Sequence, residues 1–224
     1  MPNPYFRNLP DFEYVNTTSE GRSISDYVTV KNLFKKGKLR EDIFQNVSFF
    51  TKYKIKGDDR PDNVAFEFYG DSKLDWLVLT CNNVINIQTE WPLQQPDFDR
   101  YMLEKYDTYD NLFNGVHHYE TYEVKDSNGV VFVKAGLKTD ETFAFKYTDT
   151  RSGTQVDLTN VSVPVTNYEY EVDIEDAKRN IFLLKPKYLN VVRDDLEEMM
   201  TYKKGSTQYV SETLKRADNI RLYQ

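Results

Sequence analysis

The chain has 224 residues, 39% of them hydrophobic, with 29 basic against 36 acidic side chains and a net charge of −7. That length holds one large domain or two small ones, and the acidic balance excludes a general nucleic-acid binder, which needs a basic footprint. One cysteine excludes an intramolecular disulfide and a cysteine-based metal cluster, and no run approaches the ~20 apolar residues that span a bilayer.

Residues 1–20 carry Pro2, Pro4 and Pro10, which disfavour helix. They predict an extended arm whose aromatics pack on their own domain or on a neighbour. The first ten residues lack the apolar core of an export signal, so a soluble protein without one is expected. From Asp26 to Phe44, Val28, Leu33, Phe34, Leu39, Ile43 and Phe44 recur loosely at helical spacing around Gly37. The same stretch gathers Lys31, Lys35, Lys36, Lys38 and Arg40. Such a cluster reads either as a solvated helix face or as a patch that docks on an acidic partner.

Thr51 to Lys56 alternates, with three lysines on one face of a half-exposed strand. Lysines there also discourage edge-to-edge pairing. Gly57-Asp58 turns the chain into a helix with Pro61 in its first turn, Val64, Ala65 and Phe68 inward, and Gly70 as its stop. Ser72-Lys73-Leu74-Asp75 has the form of a capping box for a second helix. Leu74, Leu77, Val78 and Cys81 share its face, Trp76 flanks it, and Asn82-Asn83 ends it. Val84 to Leu93 is expected to return as the second strand. This β-α-α-β order resembles a LysM module, two helices on a two-stranded sheet.

A further amphipathic helix is predicted near 97–106, after which the composition turns to strands. His117–Val124 and Val130–Lys134 flank an Asp-Ser-Asn-Gly hairpin turn. Thr142–Tyr147 and Val161–Val172 also read as strands, followed by a helical turn at Asp173–Lys178. Ile181–Leu184 reads as a buried strand ahead of Pro186. Tyr188–Met200 reads as a helix with Leu189, Val192, Leu196 and Met199 on one side. The last twenty residues are polar, with spaced anchors at Tyr209, Val210, Leu214, Ile220 and Leu222.

The predicted class is therefore α+β, in three parts. These are an extended and helical N-terminal arm (1–48), a LysM-like βααβ domain (49–106), and a β-rich domain ending in helices (107–224). With 17 Tyr, 14 Phe and a mean hydropathy of −0.69, the aromatics fit two readings. One is surfaces buried against partners, the other a strand-rich fold.

Three blocks together resemble a known family. The first is Tyr5-Phe6, Phe12-Glu13-Tyr14, Val30–Phe34 and Lys38–Asp42. The second is Arg60-Pro61-Asp62, Phe68–Asp71, Trp76, Asn82-Asn83 and Glu90–Leu93. The third is Val165–Glu171 with Lys178-Arg179, Leu183-Leu184, Pro186 and Tyr188-Leu189. They are similar to the baseplate wedge proteins with a LysM-like domain of contractile-tailed, T-even-type bacteriophages. The resemblance implies a structural virion protein of the tail baseplate, assembled in the host cytoplasm. It would contact other wedge subunits, including the sheath-initiating lysozyme-fold-like subunit, and clamp neighbouring wedges into a sixfold ring. It implies no catalysis, cofactor, metal, nucleic acid or membrane.

In such a role the candidate interface residues are Tyr5, Phe6, Phe12 and Tyr14 in the arm, Phe34, Arg40 and Phe44 in the basic segment, and Trp91, which reads equally as a core residue. The alternative is a LysM-type glycan binder using the loops Gly57–Arg60 and Asn82–Asn86; a single module without an export signal or an attached hydrolase speaks against it. An enzyme is excluded more firmly. Adjacent strand residues such as His117 and His118 point to opposite faces, no nucleophile-elbow, phosphate-loop or zinc-helix motif is present, and Cys81 falls on an inward stripe.

Overall fold

The computed structural model describes residues 4–15 and 27–217. The expected apolar anchors Ile220 and Leu222, and part of the N-terminal arm, lie outside them. The fold is α+β and divides into two units. One consists of residues 1–90 and 180–224, the other of residues 91–179 inserted between those segments.

The first unit opens with a single helical turn, α1 (Tyr5–Asn8), held between Pro4 and Pro10. Strand β1 (Asp11–Val15) pairs antiparallel with β2 (Tyr27–Lys31). The expected helical segment from 26 to 44 is thus a strand, a turn and one helical turn, α2 (Glu41–Phe44). Tyr27, Val28, Thr29 and Val30 are β-branched or aromatic, and that local preference outweighs the loose helical spacing. Gly37 lies where a Cβ would fall 2.5 Å from Cδ1 of the buried Leu196, so a larger residue there requires that side chain to shift.

Strand β3 (Phe50–Lys54) leads into α3 (Pro61–Tyr69), with Pro61 at its start and Gly70 closing it at φ 76°. The next helix, α4 (Asp75–Cys81), follows a 3-10 turn capped by the Asp71 side chain. The cap is therefore one residue ahead of the predicted Ser72. Leu74, Leu77, Val78 and Cys81 are buried as expected, and Asn83 turns away at φ 53°. The expected second strand at 84–93 does not form. Residues 87–90 make a helical turn, α5 (Ile87–Glu90), with the Glu90 carboxylate accepting the N–H groups of Ile85 and Asn86.

The inserted unit then begins. Its helices α6 (Gln95–Tyr106) and α7 (Tyr109–Asn114) precede strands β4 (Val116–Thr121), β5 (Val124–Lys125), β6 (Val131–Val133) and β7 (Lys138–Thr139). Strands β8 (Phe145–Thr148), β9 (Gln155–Leu158) and β10 (Ser162–Thr166) follow, and α8 (Asn167–Lys178) closes the unit. The sheet order is β10-β4-β7, with separate β5–β6 and β8–β9 hairpins. Val124, Val133 and Val161 form one core, packed by Phe143, Phe145, Tyr147 and Leu158. Phe98, Met102 and Leu112 form another, packed by Tyr106, Tyr168 and Val172.

Residues 167–172, expected as strand, are helical. Thr166 and Glu169 make a reciprocal capping box. The inward positions Asn167, Glu171 and Glu175 are spaced by four but polar, so hydrophobic periodicity is silent here. Glu171 accepts from Lys105 Nζ at 2.6 Å and from Tyr106 Oη at 2.8 Å. Glu175 accepts from the Leu93 N–H and from Lys178 Nζ.

The chain returns to the first unit with β11 (Asn180–Leu184), which pairs antiparallel with β3 across five residue pairs. A β-α-α-β arrangement is thus completed by a strand from beyond the insertion. Asn82 fastens the closure. Its side chain takes the Phe182 N–H at 2.7 Å and donates to the Phe182 and Val78 carbonyls at 2.9 and 2.8 Å. Helix α9 (Leu189–Met200) packs Val192 against Leu39, Ile43, Leu77, Cys81 and Leu184, and packs Leu196 and Met200 against Leu9 and Tyr5. Strands β12 (Tyr209–Ser211) and β13 (Leu214–Arg216) complete the first unit's sheet in the order β12-β13-β1-β2, with β13 parallel to β1. The division at 90/91 and 179/180 differs from the expected bounds at 106/107, because the module's closing strand comes from sequence read as part of a C-terminal domain.

Candidate partner-binding surface

The sequence-derived interface residues separate into buried and displayed groups. Tyr5 is partly buried and packs within the first unit. Its ring lies 5.7 Å from Trp76 and its hydroxyl accepts the Gly37 N–H at 2.8 Å, which ties α1 to the turn after β2. Trp91 is 5% exposed, so its indole is inside the molecule. Phe12 is half-buried on β1.

The others face solvent. Phe34 is fully exposed at 100%, and Leu33, Phe6, Tyr14 and Phe44 are at least half exposed. Phe34 is displayed because residues 32–35 form a tight turn, in which the Asn32 side chain accepts the Phe34 N–H at 3.1 Å. Sequence reasoning missed Leu33, Phe66 and Ile85 as displayed apolar groups, although all three are more than 60% exposed. Leu33 was assigned to a helix face that the strand-and-turn conformation abolishes, and Phe66 points away from the stripe made by Val64 and Ala65.

The predicted basic segment is partly neutralised. Arg40 Nε meets Asp42 at 2.6 Å, and its Nη1 lies 3.6 Å from Asp195; the hydrogen bond to Asp42 raises the guanidinium's pKa and lowers the carboxylate's. Lys31 pairs with Asp11 at 2.8 Å. Lys35 is different. Its ammonium donates to the Met199 and Thr201 carbonyls at 2.6 Å each, 4.9 Å from the Tyr202 ring centre. Burial lowers its pKa first, and the charges of Lys215 and Lys203 lower it further.

The histidine pair departs from expectation. Val165 pairs with His118 and Thr166 with Val116, so His117 is the extra residue of a β-bulge. The bulge turns its ring beside its neighbour's, with the two Nδ1 atoms 2.9 Å apart. His117 also stacks on Tyr170 at 3.7 Å, and His118 Nε2 lies 2.9 Å from Glu120. Among the described residues no group of three His, Cys, Asp or Glu side chains is placed to hold a metal ion. Burial pushes the Cys81 thiol up to about 12, far from a reactive thiolate. Among the described residues no helix is long and apolar enough to cross a membrane.

What this surface offers is exposed aromatic and aliphatic groups on a well-packed frame. The family model for base plate wedge protein 53 matches residues 6–201. The chain belongs to the base plate wedge protein 53 family. The match runs through both units, so the inserted unit falls within the family's own span. A search of curated proteins finds no match to the chain. As a member of the base plate wedge protein 53 family it is a structural protein of the phage tail baseplate and makes contacts with other baseplate proteins.

Proposed function

We propose that the chain is a joining subunit of the wedge. It enters during assembly in the host cytoplasm, binds other wedge proteins, including the sheath-initiating subunit, and clamps neighbouring wedges into the sixfold ring. The observation that carries this reading is the family match over 6–201. Supporting it, Phe6, Leu33, Phe34 and Phe44 all lie in the first unit and are at least half exposed. Aromatic groups held in water by a folded chain are what a partner's surface covers. A subunit with interfaces to two wedges makes ring closure cooperative, because the second interface forms only when the neighbour is present.

The test is incorporation into wedges. Phe34→Ser and Phe6→Ser together leave an exposed surface and should change folding stability by no more than about 0.5 kcal/mol each. Incorporation of the doubly substituted chain should fall about tenfold or more, as for aromatic anchors of an interface. Wedges and rings that form at the normal rate with this variant would refute the reading for these residues. Intact tails without a copy of the chain would refute it altogether.

A further inference from the structure

We propose that the groove between the turn after β2, the C-terminal end of α9 and β13 receives an acidic, extended segment of another baseplate protein, with its carboxylates seated among Lys35, Lys203 and Lys215. The inference rests on the reading of the chain as a wedge subunit and adds the chemistry of one contact.

The groove encloses about 650 Å³, enough for a few residues of extended chain. Its floor is Tyr202, only 6% exposed, whose hydroxyl accepts from the Asn32 amide at 2.8 Å. Lys35 and Lys215 hold their ammonium groups 4.9 and 5.1 Å from the centre of that ring, and Lys203 follows Tyr202 in the chain. Among the described residues none of these three lysines forms an ion pair, although 14 ion pairs involve other groups.

Lys35 cannot swing away. Two backbone carbonyls fix its head group beside the other two charges. Two ammonium groups over one ring, with Lys203 lining the same groove, repel each other, and an arriving carboxylate relieves that repulsion while gaining charge-assisted hydrogen bonds.

The acidic residues of the lining decide between classes of polyanion. Glu41, Asp195 and Glu198 line the same groove. Glu41 is paired with Lys38 at 3.8 Å and Asp195 with Arg40 at 3.6 Å, which leaves Lys38 and Arg40 engaged and Glu198 without an ion pair among the described residues. A nucleic-acid backbone, charged at every residue, meets these carboxylates and a chain of net charge −7. A polypeptide can place its acids at the lysines and neutral residues beside the carboxylates. Charge pattern therefore favours a protein segment.

The experiment uses the full chain and wedges assembled without it, with affinity measured between about 50 and 300 mM salt. Lys203→Glu with Lys215→Glu should weaken binding about tenfold or more and flatten the salt dependence. Lys203→Glu alone, on an exposed side chain, should show a smaller loss in the same direction and serves if the double variant folds poorly. Lys52→Glu with Lys54→Glu, an equal charge change on the exposed face of β3, should bind within about twofold of the parent.

Normal binding by Lys203→Glu and by the double variant overturns the proposal, as does equal weakening by the β3 variant. Tight binding of an oligothymidylate strand that disappears in Lys203→Glu overturns it in favour of nucleic acid. If the parent chain does not bind the wedges at all, the wedge-subunit reading fails and this contact with it.

Discussion

Asn82→Ala tests the closure of the first unit most directly. Phe182 lies opposite Lys52 in the β3–β11 pair, and its N–H and C=O both go to the Asn82 side chain. That is the geometry of a non-hydrogen-bonded antiparallel pair, whose peptide groups face outward. The substitution removes two bonds to β11 and one to the Val78 carbonyl. Each neutral bond contributes about 0.5–1.5 kcal/mol, and the site is open enough for water to replace part of it, so a loss of about 1–2 kcal/mol is expected. For a unit of this size the melting temperature should fall by about 3–8 °C.

Asn82→Asp sharpens the test. The aspartate still accepts the Phe182 N–H, but it sets lone pairs against two carbonyls and a negative charge at a helix C-terminus. It should be worse than alanine at neutral pH and recover toward it below about pH 4, where the carboxyl is protonated. The assays are thermal melts and amide exchange at Phe182. Unchanged exchange in Asn82→Ala, or an aspartate variant as stable as alanine at pH 7, would refute the reasoning.

Three further outcomes are expected. Leu184→Ala removes a fully buried side chain from the cluster of Leu39, Ile43, Leu77, Cys81 and Val192 and should cost about 2–5 kcal/mol in denaturant unfolding. Cys81 should resist alkylation at pH 8 in the folded protein, since burial raises its pKa to about 12, and should react at once in denaturant; fast labelling of the native chain would contradict the packing. In the inserted unit the Asp149 carboxylate accepts the N–H groups of Ser152, Ser127 and Arg151 and the Ser127 hydroxyl, which hold its pKa below the ordinary value. Its stabilisation is therefore present above about pH 4 and is lost as the pH falls. Amide protection factors at Ser127 and Ser152, corrected for the intrinsic exchange rate at each pH, should fall on acidification in the parent, and Asp149→Asn, which keeps only one acceptor oxygen, should show lowered protection already at neutral pH.

Much of the fold was legible where local signals and hydrophobic period agreed. Pro61 and Gly70 bracket α3, and Leu77, Val78 and Cys81 define the buried face of α4. The Asn-Gly turn sits between β5 and β6. The misreadings have physical causes. Residues 167–172 hide a helix because its inward positions are Asn167 and Glu171, made tolerable by partners that no linear pattern displays. A second strand of the module at 84–93 is the natural expectation because neighbouring elements usually lie adjacent in space. The actual partner carries a good strand signature at 180–184, but nothing local says that it belongs with β3. Of the candidate interface residues, Phe34 and Phe6 are displayed, Tyr5 is partly buried with its hydroxyl engaged by Gly37, and Trp91 is held inside. Aromatic content alone does not distinguish these fates. The basic groove is foreshadowed in sequence by Lys35, Lys38 and Arg40, while Lys203 and Lys215 join it from the far end of the chain.

The late arrival of β11 has a consequence on the ribosome. Asn82 and Phe182 are 100 residues apart in sequence, so α3 and α4 emerge with an apolar face and no strand to seal it beside β3. The inserted unit, contiguous from 91 to 179, has all its segments available before that seal is synthesised. Synthesis at about 5–20 residues per second leaves the half-built module waiting for several seconds. A nascent chain stalled once residue 179 has cleared the ribosome, with the rest still inside it, should therefore present one finished unit and one sticky, unfinished one, and that interval is when a chaperone has most to protect.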